Sequence, residues 1–458
     1  MHSFLNKALC KLLVLVITAN ILLFSFSSCK LFIYVADSKE EIAENIDESS
    51  SKRFNDHVAD YLRDWGLPRY DAIKFRYAEN YFQNYYNYAG GMPDTYSHAV
   101  KTARLFLENY YDSINRDDKA AVTHALLDCY ADALDDPYSI YRAPEAADTY
   151  QEDMSGKFGG IGVVVEYDYD KATIMVKTVY IGSPAEKSGM CVGDYIYAVD
   201  GKTISELGID NTVYHIRGEI GTYVNLTLIR NGQFVDVSVQ RAEVEEINVS
   251  YELDSNTKIG YVRIVAFKGN TFEQFAKAID SLEEQGAKGI VFDLRGNPGG
   301  YLQSVCDVIS YLIPNDKTIV TYQYKGSNST RLVSENDDTS NGQTLDRIVN
   351  LPMVVICNQY TASAGEIFTS AIRDYRNEGL IKATIVGTTT YGKGIMQNTY
   401  SYADGSSITM TVAYYNPPCG VNYHGIGITP DISVELTSEG DTQLDAAYDA
   451  IKNLINAN

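Results

Sequence analysis

The chain has 458 residues, enough for about three domains of ordinary size, each burying its own core. Its 38 basic and 60 acidic residues give a formal net charge of -22, which would repel a phosphate backbone and argues against a nucleic-acid partner. The 7 cysteines stand singly, without a C-x-x-C pair, and the 6 histidines never take H-E-x-x-H spacing, so no metal site, redox motif or cofactor is expected.

Residues 1–36 differ in character from the rest. Lys7 and Lys11 precede an apolar stretch from Leu12, and "FSFSSCKLF" follows it, as in an export segment. Phe26, Ser27, Ser28 and Cys29 resemble a bacterial lipoprotein box with Phe where Leu is usual, so lipidation at Cys29 is one expectation. An uncleaved membrane anchor is the other, because apolar character resumes after Lys30. Either places the remaining chain outside the cytoplasm, an extracytoplasmic protein tied to a membrane.

Residues 37–60 are charged and poor in large apolar side chains, as suits a tether. Further on, Ala99, Thr102, Ala103, Leu105, Phe106 and Tyr110 recur at helical spacing, and "LDDPYSIYRAPEAADTY" breaks the pattern with two prolines. Residues 37–150 therefore read as a tether and a helical N-terminal region. Residues 151–243 change period: "IGVVVEY", "ATIMVKTVY" and "VNLTLIRNGQFVDVSVQR" are short β-branched strands, the last holding an Asn-Gly hairpin signal. Within this β-rich module, "GSPAEKSGM" offers Ser183 as a helix cap, Pro184 at the first helical position and Gly189 where a left-handed residue belongs.

Residues 250–436 alternate strands with helices. "KGIVFDL" leads through "RGNPGG" to a helical pattern, and "LPMVVICN" leads to "SAGEIFTSAIRDYR". The fold class is α/β (α+β) and multidomain. In such a domain function sits at the carboxyl ends of strands, which singles out those two turns and a third at 387. A C-terminal helix closes the chain over 437–458.

The third turn, "GTTTYGKGIMQ", matches a phosphate-binding loop except that Gly394 stands where a Ser or Thr would hold magnesium. The residues after it alternate like a strand, whereas a phosphate loop opens a helix. Lys393 is better suited to be a general base. Lowering a lysine from about 10.4 to roughly 7 costs about 4 to 5 kcal/mol, which burial can supply. Gln397, four residues on, would share its side and could position the amine. The nucleophile expected with it is Ser363, which follows a buried strand and opens a helix, although Ser363 and Glu366 also form a capping box. Ser363 half matches G-x-S-x-G, and Asp404 and His424 follow in hydrolase order, so a Ser-Asp-His hydrolase is an alternative. Oxyanion donors are expected from the Gly299/Gly300 turn and from Ala364.

At these residues the chain resembles the carboxyl-terminal processing proteases, or tail-specific proteases, serine endopeptidases with a Ser/Lys dyad. The resemblance spans roughly 120–450 and rests on "LDDPYSIY", "GGIGV", "GSPAEKSGMCVGDYIYAVDG", "IRGEIGTYVNLTL", "DLRGNPGGYL", "TASAGEIF", "GTTTYGKGIMQ" and "GIGITPDISV", in the family's order. It implies Ser363 as nucleophile, Lys393 as base, Gln397 as its orienting residue, and oxyanion donors at Gly299 or Gly300 and at Ala364. It implies that the β-rich module is a PDZ domain in which Gly160, Ile161 and Gly162 offer N–H groups to a substrate's terminal carboxylate. The strand from Val163 would add to the peptide. The expected partners are proteins or peptides with exposed C-termini. A homodimer is left open, since the front region carries no family motif. The alternative of another class is a catalytically silent PDZ scaffold that only binds peptide tails.

Overall fold

The computed structural model describes residues 38–48, 57–168, 173–335, 337–338, 343–344, 351–438 and 440–457. The export or anchor segment expected at 1–36 lies outside them. No described helix is long and apolar enough to cross a membrane. Contacts divide the chain into two units: residues up to Arg142 with Ile408–Met410, and Ala143–Ser407 with Thr411–Asn458. The helical region thus ends at Arg142, short of the expected 150. Helix Pro144–Ser155, opened by a proline at its first turn, belongs with the second unit, where the Met154 carbonyl accepts the Gly269 N–H at 3.0 Å.

The first unit is helical: Ala72–Tyr85, Thr95–Asn109 and Lys119–Asp132 lie in the region expected to be helical, whereas Lys39–Glu48 and Val58–Asp64 begin in the stretch expected to be a tether, because Ile42, Ile46, Val58 and Ala59 recur on faces that are buried. Three helices start on an aspartate whose carboxylate accepts first-turn N–H groups, namely Asp71, Asp94 and Asp118. Trp65, Phe75, Phe82, Phe106 and Tyr130 fill the core. Helix Val58–Asp64 receives no cap from its own N-cap residue, His57. Glu79 of the next helix, 1 % exposed, accepts the Val58 N–H instead.

The β-rich module lies within the second unit. Its antiparallel sheet runs in the order Val163–Asp168, Thr173–Val179, Tyr195–Val199, Tyr223–Arg230, Gln233–Gln240, with the short Lys202–Thr203 paired to Tyr195–Val199. The hairpin turns at Asn231 and Gly232, both at positive φ (50° and 78°), as an Asn-Gly turn requires. Ser183 caps Pro184–Lys187 through the Glu186 N–H, as expected.

The rest of the unit is built on a six-stranded sheet: Val249–Leu253, Ile259–Ile264, Gly289–Asp293, Met353–Cys357, Ala383–Gly387 and Ile432–Ser433. Only the first pair is antiparallel. The parallel strands are covered on both faces, hence their unbroken apolar runs. Ile290, Phe292, Met353 and Val355 pack with helices Thr271–Glu284, Leu302–Ser310 and Ala364–Asn377. Val291, Val354 and Ile356 pack with the closing helix Thr442–Asn456. A second sheet pairs Ser407–Asn416 with Ile395–Ser401 and with Thr318–Gln323 of the hairpin Thr318–Gln323/Ser329–Val333. Of the described cysteines, Cys129, Cys306 and Cys357 are buried small hydrophobes, whereas Cys191 and Cys419 are exposed.

Both ends of the β-rich module are tied to the core at one residue. The buried Asn270 side chain donates to the carbonyls of Gly156 (3.2 Å) and Glu246 (2.8 Å), and Lys268 adds ion pairs to Asp153 and Glu246. Gly156, at φ 73°, must be glycine because a Cβ there would collide with the Asn270 side chain.

Burial pushes the Glu79 carboxyl from 4.5 up to about 7. A carboxyl raised on folding favours the folded state below its unfolded value and loses that contribution as pH rises through its folded value. Glu79→Gln keeps an acceptor for the Val58 N–H without the buried charge. The variant's stability relative to the parent should therefore increase between about pH 5 and pH 8, by on the order of 2 to 3 kcal/mol. Trp65, the chain's single tryptophan and fully buried in this unit, reports the transition by fluorescence; a pH-independent difference between the two proteins would refute the assignment.

Candidate functional site

Strands Gly289–Asp293, Met353–Cys357 and Ala383–Gly387 are parallel neighbours, so the turns that follow them share one edge of the sheet. These are the three turns singled out from the sequence. They interlock through specific polar contacts. The Thr361 hydroxyl donates to the Leu294 carbonyl (2.8 Å), the Ala362 N–H to the Asn297 carbonyl (2.9 Å), and the Tyr391 N–H to the Thr361 carbonyl (3.0 Å). Asp293 is fully buried where the first turn leaves its strand. Burial would raise its carboxyl, but hydrogen bonds from Arg295 and Tyr261 hold it below the ordinary range. Arg295 in turn pairs with Asp441 at 2.6 Å.

Ser363 stands at the N-terminus of helix Ala364–Asn377 with φ 52° and ψ -116°. A side chain in that region costs on the order of 1 to 3 kcal/mol and persists only where its surroundings enforce it. Its carbonyl accepts the N–H groups of Glu366 (2.8 Å) and Ile367 (2.9 Å), and its own N–H donates to the Glu366 carboxylate at 3.0 Å. The acidic half of the expected capping box is therefore present, but Glu366 does much more. Fully buried, it also accepts the N–H groups of Gly392 and Lys393, each at 2.7 Å, and the Thr390 hydroxyl at 2.6 Å. Burial pushes its carboxyl above the ordinary value, yet every neighbour donates. The Thr390 hydroxyl also accepts from the Ile428 N–H at 2.7 Å. Three main-chain N–H groups and a hydroxyl converging on two oxygens make the surroundings of an ionised carboxylate. Sequence reasoning saw only the cap in Glu366; its reach across to the lysine turn depends on contacts 24 to 27 residues away.

Lys393 is half-buried, and its main chain is held at both ends: N–H on Glu366, carbonyl on the Tyr415 hydroxyl at 2.6 Å. Gly392 and Gly394 leave the expected room. A Cβ on Gly392 would lie 2.9 Å from the Gly427 nitrogen, and one on Gly394 2.9 Å from the Asn422 side chain. The loop continues as strand Ile395–Ser401, without the helix that a phosphate loop needs. Gln397 lies on that strand, and its side-chain nitrogen donates to the Thr411 hydroxyl at 3.3 Å.

Gly299 abuts the serine turn: a Cβ on it would lie 2.7 Å from Ser363 Cβ and 2.9 Å from the Ala364 nitrogen. Its φ of 106° also requires glycine. The Gly299 N–H is engaged by the buried Asn297 side chain at 2.8 Å. Among the described residues the N–H groups of Gly300 and Ala364 have no such partner.

The residues of the alternative triad do other work. Asp404 lies exposed in the turn between Ile395–Ser401 and Ser407–Asn416, where it accepts the Ser406 N–H and hydroxyl. His424 accepts the Gly394 N–H at Nδ1 (3.3 Å), the nitrogen that a triad histidine uses to donate to its aspartate.

In the β-rich module, Val163–Asp168 is an edge strand, paired on one side only with Thr173–Val179. Ahead of it Gly160 pairs with Ala242, Ile161 is buried in the module's core, and Gly162 takes φ 80°. The carbonyls of Ile161 and Gly162 are used internally, by the Ala185 and Tyr180 N–H groups, while their own N–H groups have no partner among the described residues. Arg217, just after helix Ile209–Ile216, lies 4.0 Å from the centre of the Phe158 ring beside this loop. Neither residue was singled out from the sequence. Among the described residues no group of acidic, histidine or cysteine side chains could hold a metal ion.

A profile described as peptidase family S41 matches residues 258–434, and a PDZ-domain profile matches 175–230. The carboxy-terminal processing protease CtpA of Bacillus subtilis is 37 % identical over 305 residues, covering 66 % of this chain and 62 % of that protein. A probable CtpA-like serine protease of Staphylococcus aureus is 33 % identical, covering 72 % of this chain and 64 % of that protein. Matching thus spans slightly less than two thirds of the length of these two relatives. A carboxyl-terminal-processing protease of Synechocystis is 32 % identical, covering 69 % of this chain and 74 % of its own. With S41 and PDZ regions in order and alignment over most of the Synechocystis protein, the chain belongs to the carboxyl-terminal processing proteases of peptidase family S41.

Proposed function

We propose that this chain is a membrane-tethered, extracytoplasmic serine endopeptidase that captures the C-terminus of a protein or peptide and cleaves it through an acyl-enzyme on Ser363. One observation carries the reading: the main-chain N–H groups of Ser363 and Lys393 share the Glu366 carboxylate, at 3.0 and 2.7 Å. That contact brings together a strained serine at a helix N-terminus and a half-buried lysine.

In the mechanism, neutral Lys393 takes the Ser363 proton as Oγ attacks the scissile carbonyl. The oxyanion accepts from the Gly300 and Ala364 N–H groups, because the Gly299 N–H is already held by Asn297. Lys393 then returns the proton to the departing amine. Water, deprotonated by Lys393 in turn, attacks the ester and releases the new C-terminus. Gln397, whose side-chain nitrogen is turned to Thr411, keeps its carbonyl oxygen for the lysine ammonium formed at each step.

Recognition falls to the edge strand Val163–Asp168, to which an extended peptide would add, with its carboxylate on the Ile161 and Gly162 N–H groups. Residues 1–36 would hold the enzyme to the membrane. Incorporation of labelled fatty acid into the parent but not into Cys29→Ser would identify a lipoprotein, and labelling of both or neither would leave only the uncleaved anchor.

Ser363→Ala and Lys393→Ala should each abolish cleavage of an unfolded protein substrate without altering the fold seen by circular dichroism. His424→Ala should retain activity within a fewfold. Full activity in either dyad variant, or a dead His424→Ala, would remove the dyad. Amidating the C-terminus of a peptide substrate should raise KM roughly 10-fold or more, the value of a charge-assisted hydrogen bond or two. An unchanged KM would remove the carboxylate site.

A further inference from the structure

Beneath the proposed dyad lies a pair of tyrosines that the mechanism does not use. Tyr415, 2 % exposed, lies on strand Ser407–Asn416, and Tyr423, 4 % exposed, lies in the segment that follows it. The Tyr415 hydroxyl donates to the Lys393 carbonyl at 2.6 Å. A carbonyl can only accept, so the single Tyr415 proton is committed there and the phenol oxygen is left as an acceptor. It accepts from the Tyr423 hydroxyl at 3.3 Å. Burial pushes both phenols well above their ordinary range, so each keeps its proton.

The rest of the lysine turn is held from the same strand. The Tyr415 N–H donates to the Gly394 carbonyl at 3.3 Å, and Asn422 donates to that carbonyl at 3.0 Å and also to the Tyr415 carbonyl. Lys393 is thereby gripped from opposite sides, by Glu366 at its N–H and by Tyr415 at its carbonyl. We propose that Tyr415 is a positioning residue for peptide cleavage, fixing the main chain of Lys393 through its hydroxyl, with Tyr423 orienting that hydroxyl.

The inference rests on the Ser/Lys reading, and its test separates the two. With a fluorogenic peptide substrate, Tyr415→Phe should lower kcat roughly 10- to 100-fold, as displacement of a catalytic group by a fraction of an ångström does, with KM within about twofold. The titratable groups around the turn include Tyr391 on it and Glu366, Tyr423 and His424 against it, and Tyr415→Phe removes none of them. Releasing the main chain gives the lysine amine more access to water, so the ascending limb of the kcat profile should also move to higher pH. A merely structural role would lower the melting temperature without moving that limb. Tyr423→Phe should shift the limb in the same sense by less, and decides the matter alone should Tyr415→Phe not fold. An unmoved limb with kcat within twofold overturns the inference; if Ser363→Ala and Lys393→Ala are inactive in the same assay, the dyad stands without it.

Discussion

The Glu366 carboxylate accepts four hydrogen bonds in a place from which water is excluded, and the site's geometry hangs on them. Burying a carboxylate is costly unless donors replace its hydration. Here they come from a main-chain N–H at the serine turn, two more at the lysine turn, and the Thr390 hydroxyl. Because the donors belong to two separate turns, satisfying the charge also sets the separation of the two groups proposed for catalysis. The helix N-terminus on which Glu366 sits favours the same negative charge.

Around that carboxylate the turns are over-determined. Asn297 uses its carbonyl, its side-chain oxygen and its side-chain nitrogen to join Ala362, Gly299 and Ile264. Thr361 links the serine turn to the other two. Such redundancy is what lets Ser363 remain at positive φ, where a residue with a Cβ would otherwise relax. Gly299 completes the arrangement by bringing bare backbone against Ser363 and Ala364.

A short segment after strand Ile259–Ile264 serves both the β-rich module and this site. Phe267 exchanges main-chain hydrogen bonds with Gly299 and Tyr301, while Lys268 and Asn270 hold the two ends of the β-rich module. The β-rich module and the Gly299/Gly300 turn are thus anchored on residues adjacent in the chain. The Lys393 carbonyl is held from a different side, by a strand of the second sheet, so the lysine turn is braced by two sheets at once.

Much of this was legible in the sequence wherever the cause is local. The apolar runs of the parallel strands, the Asn-Gly hairpin, the Ser183 cap and the strand after Gly394 follow from neighbours a few residues apart, and periodicity or turn chemistry reports those directly. Ordered motifs also single out Ser363, Lys393 and Gln397, the residues of the proposed mechanism. The tertiary structure alone decided which glycine N–H is occupied, because Asn297 folds back on Gly299 and leaves Gly300 open. It alone turned Glu366 from a helix cap into the link between two turns, and placed the Tyr415 hydroxyl on the Lys393 carbonyl 22 residues away. The end of the helical unit at Arg142 is of the same kind, since the helix from Pro144 is assigned by what it packs against. A hydrogen bond between distant turns depends on how a sheet aligns its strand ends, and no local pattern in the chain encodes that alignment.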